Sequence, residues 1–302
     1  MLATMSIEFT NLGIKIQNLP KGITIGNFTI AFYGMIIATA ILAGMTMAFY
    51  EAKRTGQDVD TYIDFALVVI VACIIGARAY YVAFEWSYYR EHPSEIINYR
   101  QGGLAIYGAV ITGVLVAFIY SKVKKLKFGL IADTAIPGLI LGQIIGRWGN
   151  FFNREAFGGV AKDSNPFAMR LYFDDYFKIY DVPQSVLDCM ETTFGKSALE
   201  LGYVQVQPTF LYESLLNVVV LICMIIVARK FKKFDGQVLL TYLLGYGIVR
   251  FYVEGMRTDQ LLMPVTGWPI SQVLSLVLAI SAFILLIFGI SLHQKKKNVK
   301  SE

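Results

Sequence analysis

The densest run of reactive side chains is Gly146-Arg147-Trp148-Gly149-Asn150-Phe151-Phe152-Asn153-Arg154-Glu155-Ala156-Phe157-Gly158-Gly159. Its glycines permit tight turns and a close approach of backbone to ligand, while Arg, Asn and Glu supply donors and acceptors. Two permanently charged guanidiniums together with two amides and a carboxylate beside the headgroup layer therefore read as a functional site. A well-capped helix end is the structural alternative, but a cap requires neither two arginines nor two asparagines.

Residues three, four or seven apart share a helix face, which extends the pattern. Gln143, Arg147 and Asn150 form one polar stripe if their helix continues. Tyr246, Arg250, Glu254 and Arg257 form a second, and Glu213 with Asn217 a third. A charge near a bilayer centre costs on the order of 2.5–3.5 kcal/mol, so Arg78, Arg147, Arg250 and Glu254 inside apolar runs are functional candidates. For any one of them the alternative is interhelical glue, with Arg250 and Glu254 neutralising one another. Several stripes at one depth point to a site.

Such residues need a hydrophobic scaffold, and the composition provides it. Of 302 residues, 56% are hydrophobic and 16% charged, against about 45–50% and about 25% in soluble domains. The chain reads as an all-α polytopic membrane protein; disorder, collagen-like repeats and small disulfide scaffolds are excluded. Seven runs approach the roughly 20 residues that cross a bilayer. They extend about from Phe28 to Tyr50, Tyr62 to Phe84, Leu104 to Tyr120, Leu130 to Trp148, Phe210 to Ala228, Val238 to Val253 and Trp268 to Leu292. Lys and Arg stay on the cytoplasmic side of short loops. Four basic loops, at 53–54, 122–127, 229–233 and 295–300, fall on one face of a seven-helix chain. The expected topology has the N-terminus outside and the C-terminus cytoplasmic, which also explains the net charge of +5 better than nucleic acid does. Met1 to Asn27 lack the pattern of a cleaved signal peptide. Residues 1–302 are expected to form a single transmembrane domain, with 151–208 inserted as a small extracytoplasmic cap. Asp64 and Asp133, near inner helix starts, are expected as caps or interfacial anchors.

At Gly146 through Gly158 the sequence resembles the prolipoprotein diacylglyceryl transferases. Their signature, Gly-Arg-x-Gly-Asn-Phe-x-Asn-x-Glu-x-x-Gly, is matched at every fixed position. Weaker similarity covers Tyr33-Gly34, Gly102-Gly103, Pro208 to Glu213 and Arg250 to Glu254. The resemblance implies a seven-helix enzyme of the bacterial plasma (inner) membrane, among membrane lipids, with its active site toward the outer face. It also implies the reaction: the diacylglyceryl group of phosphatidylglycerol passes to the thiol of a lipobox cysteine in a prolipoprotein, releasing glycerol phosphate. Arg147 and Arg250 resemble the essential arginines, with Asn150, Asn153, Glu155, Gly158, Tyr33 and Glu254 as supporting and phosphatidylglycerol-binding residues. Many relatives carry His where this chain has Tyr107, and some where it has Gln207. The proton acceptor for the thiol is then Tyr107, Glu155 or an arginine-polarised phosphate oxygen.

Other chemistries lack their parts. His92 lies in an outer loop and His293 in the basic tail, leaving no imidazole for a Ser–His pair or a metal. Cys73, Cys189 and Cys223 assemble neither a disulfide framework nor a thiolate site. No metal or other cofactor is expected. A transporter would spread ionisable residues through the full membrane depth, whereas these gather in the outer half.

Overall fold

Residues 5–26, 28–98, 102–264 and 266–299 are described by a computed structural model of the chain. Lys300, from the basic tail, and Met1 and Asn27, the limits of the stretch read for a leader, lie outside the described residues. In chain order the helices are α1 Phe32–Arg54, α2 Val59–Phe84, α3 Trp86–Tyr89, α4 Ile106–Val123, α5 Phe128–Asn153, α6 Gln184–Phe194, α7 Ala198–Leu201, α8 Thr209–Ile226, α9 Gln237–Glu254 and α10 Ile270–Val299. Among the described residues six helices are long and apolar enough to cross a membrane: α1, α2, α4, α5, α10, and α8 with the π-helical turn that prolongs it to Phe231. The 18-residue α9 equals α4 in length but is less apolar, and it packs against α8 and α10.

The expectation of an all-α chain is corrected, because short strands are present. β1 (Met5–Phe9), β2 (Ile14–Gln17), β5 (Met169–Tyr172) and β6 (Tyr203–Val206) form an antiparallel sheet in the order β2-β1-β5-β6. A separate hairpin, β3 (Gly22–Ile25) with β4 (Phe28–Ala31), runs directly into α1. Strands of four or five residues are too short for a period-two pattern to stand out. The pairing of Ile7 with Leu171 joins segments that no local pattern relates.

The sheet and α6 enclose a core of Ile7, Leu171, Phe177, Met190 and Val204, joined by Phe151 at the end of α5, Phe157 four residues beyond that end and Phe210 at the start of α8. Arg154, in the left-handed region at the end of α5, is the main polar tie. Its Nη1 lies 2.7 Å from both Asp174 carboxylate oxygens and its Nη2 donates to the Leu19 carbonyl. Within the bundle α1 and α5 touch backbone to backbone at Gly44 and Gly138. A Cβ on Gly44 would come within 2.7 Å of the Gly138 carbonyl oxygen, so only glycine allows this approach. Asp133 caps α9 from a neighbouring helix, accepting the Gly236 and Leu239 N–H groups at 2.8 and 2.9 Å. Asp64 pairs with Lys124 at 3.0 Å.

Candidate active site

Three helices converge on one carboxylate. Glu213, on α8, is 1% exposed. Its Oε1 lies 2.8 Å from Arg147 Nη2 on α5 and its Oε2 3.3 Å from Arg250 Nη1 on α9. Tyr246, one turn before Arg250, donates its hydroxyl to Glu213 Oε1 at 3.4 Å. Arg250 Nη2 reaches Glu254 Oε2 at 2.6 Å, one turn further on. Two cations and two carboxylates leave no uncompensated charge in the low-dielectric interior, where an isolated ion would be costly. The carboxylates are shielded while the arginine side chains stay 21% and 14% exposed. Each guanidinium carries five N–H donors, so both keep donors for a further partner.

α5 runs to Asn153, five residues past the expected Trp148, which completes the first stripe. Arg147 Nη1 contacts Asn150 Oδ1 at 3.5 Å, and the Asn150 and Asn153 amides donate to Glu155 Oε1 at 3.0 and 3.1 Å. This relay leads from the arginines to a cavity of about 270 Å³ lined by Asn153 and Glu155 with Lys21, Asp181, Thr258 and Asp259. Beyond the relay, the Gly158 N–H donates to the Gln207 carbonyl at 2.9 Å and the Gly159 N–H to the Met256 carbonyl at 3.0 Å. The glycines thereby lace the end of α5 to the start of α8 and the end of α9, which carry Glu213 and Arg250. A Cβ on Gly158 would stand 3.0 Å from both the Met256 oxygen and the Gln207 Cβ.

Tyr33 joins this assembly by packing its ring on Gly149, where a Cβ would come within 2.8 Å of the ring. Tyr107 is placed apart: its hydroxyl shares a 2.7 Å hydrogen bond with Ser271 of α10. Arg78 has a structural task. Its guanidinium donates to the carbonyls of Glu95, Ile96, Asn98, Gly102 and Gly103 at 2.7–3.1 Å, pinning the loop before α4. Arg250 and Glu254 do pair, as the interhelical-glue alternative held, but within a cluster that includes Arg147. Glu213 was legible only as half of a polar pair in an apolar run, with nothing to assign it a partner.

An apolar helix bundle with a charge-balanced arginine cluster at one end, beside a polar cavity, defines a polytopic membrane protein with a polar site among its helices. The family model described as prolipoprotein diacylglyceryl transferase matches residues 20–288. A Bacillus cytotoxicus protein named phosphatidylglycerol–prolipoprotein diacylglyceryl transferase is 42% identical over 265 residues, 88% of this chain and 90% of its own. Proteins of the same name from Bacillus velezensis and from Listeria monocytogenes serotype 4b are each 39% identical, covering 89% and 95% of this chain and 91% and 94% of their own. The chain belongs to the prolipoprotein diacylglyceryl transferase family.

Proposed function

We propose that this membrane transferase moves the diacylglyceryl group of phosphatidylglycerol onto the thiol of a lipobox cysteine in a prolipoprotein, releasing glycerol phosphate. The observation that carries the reading is the pair of guanidiniums, Arg147 and Arg250, held on one buried carboxylate within the matched family region. In the reaction the cysteine sulfur forms a bond to the glyceryl carbon while that carbon's bond to the phosphate oxygen breaks. The leaving phosphate gains charge as it departs. Arg147 orients the phosphate through its free N–H groups, and Arg250 stabilises the developing charge, where a low dielectric makes both more effective than in water.

A thiol with an ordinary pKa of about 8.5 is only a few per cent thiolate at neutral pH, so the proton needs an acceptor. Glu155 is our choice: two amides fix its Oε1 and it borders the cavity. Asn150 and Asn153 orient that carboxylate, Glu254 holds Arg250, and Tyr33 and Gly158 fix the two ends of the motif. We place the site toward the outer face of the bacterial inner membrane, with α9 as a seventh span, the N-terminus outside and the C-terminus cytoplasmic. Residues 151–208, with β1 and β2 added, then form the extracytoplasmic cap on one transmembrane domain.

The test mixes purified protein with labelled phosphatidylglycerol and a lipobox peptide. Label on the peptide cysteine together with free glycerol phosphate is expected; neither appearing overturns the reading.

A further inference from the structure

The cavity of about 270 Å³ beside the motif contains more than the transfer reaction has so far used. One wall is the motif itself, Asn153 to Phe157; another is the segment from Phe177 to Pro183; Lys21 and the Thr258–Asp259 turn close the rest. Except for Asn153, the last residue of α5, none of these side chains comes from a helix able to cross the membrane. The cavity therefore belongs to the polar end of the molecule, and it is too small for a two-chain lipid.

Its charges narrow the choice of ligand. Arg154 is committed to Asp174 at 2.7 Å. Arg257, behind the wall, is committed to Asp259 at 2.7 and 2.9 Å. Also lining the space are one ammonium, Lys21, and two carboxylates that each keep an oxygen free of these contacts: Glu155, whose Oε1 takes the Asn150 and Asn153 amides, and Asp181, whose Oδ2 takes the Lys178 N–H at 2.8 Å. Without surplus positive charge the cavity is a poor anion site, so it suits neither a phosphate headgroup nor the glycerol phosphate product. Carboxylates that accept, with amide and ammonium groups that donate, match a polypeptide main chain, which presents an N–H and a carbonyl at each residue.

The position supplies the rest, resting on the transfer reading above. The acceptor's sulfur must reach the arginine cluster, while the chain that follows it has to leave the membrane on the polar side. The relay Arg147–Asn150–Glu155, with contacts of 3.5 and 3.0 Å, leads from that cluster to the cavity wall. With extended chain advancing about 3.3 Å per residue, the distance is covered within a few residues. We propose that this cavity binds the residues immediately after the acceptor cysteine as an extended polypeptide, with Asp181, Thr258 and Lys21 as its determinants.

The full-length enzyme, in micelles containing phosphatidylglycerol, is given two lipobox peptides. One ends at the amidated acceptor cysteine, and the other continues for four residues. The wild type is expected to show a KM about tenfold lower for the longer peptide, the worth of one or two net hydrogen bonds. Filling the cavity with Thr258→Trp raises the longer peptide's KM and erases the difference. Asp181→Arg, on a more exposed wall, narrows it without asking the interior to accept an indole. Equal KM values for the two peptides in the wild type overturn the proposal. So does a Thr258→Trp enzyme that keeps the preference, or one in which the KM for phosphatidylglycerol moves instead. No transfer to either peptide from the wild type overturns the transfer reading itself, a result distinct from equal transfer to both.

Discussion

Arg147 of α5 and Glu213 of α8 form a 2.8 Å ion pair, and the second oxygen of the same carboxylate lies 3.3 Å from Arg250 of α9. One buried acid therefore sets the spacing of two cations that are 103 positions apart in the chain.

Replacing the acid tests this. Glu213→Gln keeps the size but swaps one acceptor oxygen for an amide donor, which faces a guanidinium. Breaking a buried pair typically costs about 3–5 kcal/mol. The expected outcome is a lower melting temperature in detergent together with a transfer rate reduced about a hundredfold. A variant that melts early but turns over normally once folded would remove Glu213 from the positioning of the arginines.

Charge alone is not expected to suffice at Arg147. Arg147→Lys retains the cation but loses the planar fork that contacts Glu213 and Asn150 together. Loss of one aligned donor at a developing anion costs about 10²–10³ in rate, so kcat for transfer from labelled phosphatidylglycerol should fall by at least about a hundredfold. Near wild-type turnover would argue against the assignment.

Gly158→Ala probes the lacing of α5, α8 and α9. The added methyl stands 3.0 Å from the Met256 oxygen and the Gln207 Cβ and 3.1 Å from the Thr209 Cγ2, so these neighbours have to give by a few tenths of an ångström. Displacement at that scale misaligns reacting groups, and a fall in kcat of about tenfold or more is expected with the protein still folded. Unchanged kinetics would show that the lacing tolerates the shift.

Tyr107→Phe separates the phenol from the chemistry. Its hydroxyl is bonded to Ser271 and not to the arginine cluster. Removing it should cost about 1 kcal/mol of stability and leave transfer within roughly threefold. A hundredfold loss of transfer would return the tyrosine to the role of proton acceptor in place of Glu155.

The sheet should be acid-sensitive through Asp174. Burial by itself raises this carboxyl's pKa, but the Arg154 guanidinium, the Tyr176 N–H and the Ser6 hydroxyl outweigh it and hold the group below the usual carboxylate range. A depressed folded value contributes stability that is full above the unfolded value of about 3.9 and is lost as pH falls through the folded one. Hydrogen-exchange protection of residues 169–206 is expected to be level from neutral pH to about 5 and to decline below about 4. In Asp174→Asn the protection starts lower and that acid limb disappears; an identical acid limb in both proteins would contradict the assignment.

Several of these features were legible in the amino-acid order. Apolar runs interrupted by charges announce membrane helices because hydrocarbon tolerates few ions, and among the described residues six helices have the required length and hydropathy. The Gly146–Gly158 run announces its family because its glycines and polar residues recur at fixed spacing. The i, i+3 and i, i+4 stripes placed Arg147 with Asn150, and Arg250 with Glu254, since helical periodicity is a local property. What the order of residues could not convey is pairing between segments far apart. It left Glu213 without its two arginines, Tyr107 without Ser271, and Arg78 as a functional candidate when its five donors hold a loop. It also hid the sheet, whose strands β1 and β5 meet across about 160 residues and are too short to show a period. Such contacts depend on which helix faces turn toward each other, and that is decided by packing: backbone touching backbone at Gly44 and Gly138, and Arg154 drawn into Asp174. Residue types carry the chemistry, and only the tertiary structure brings the charges within reach of one another.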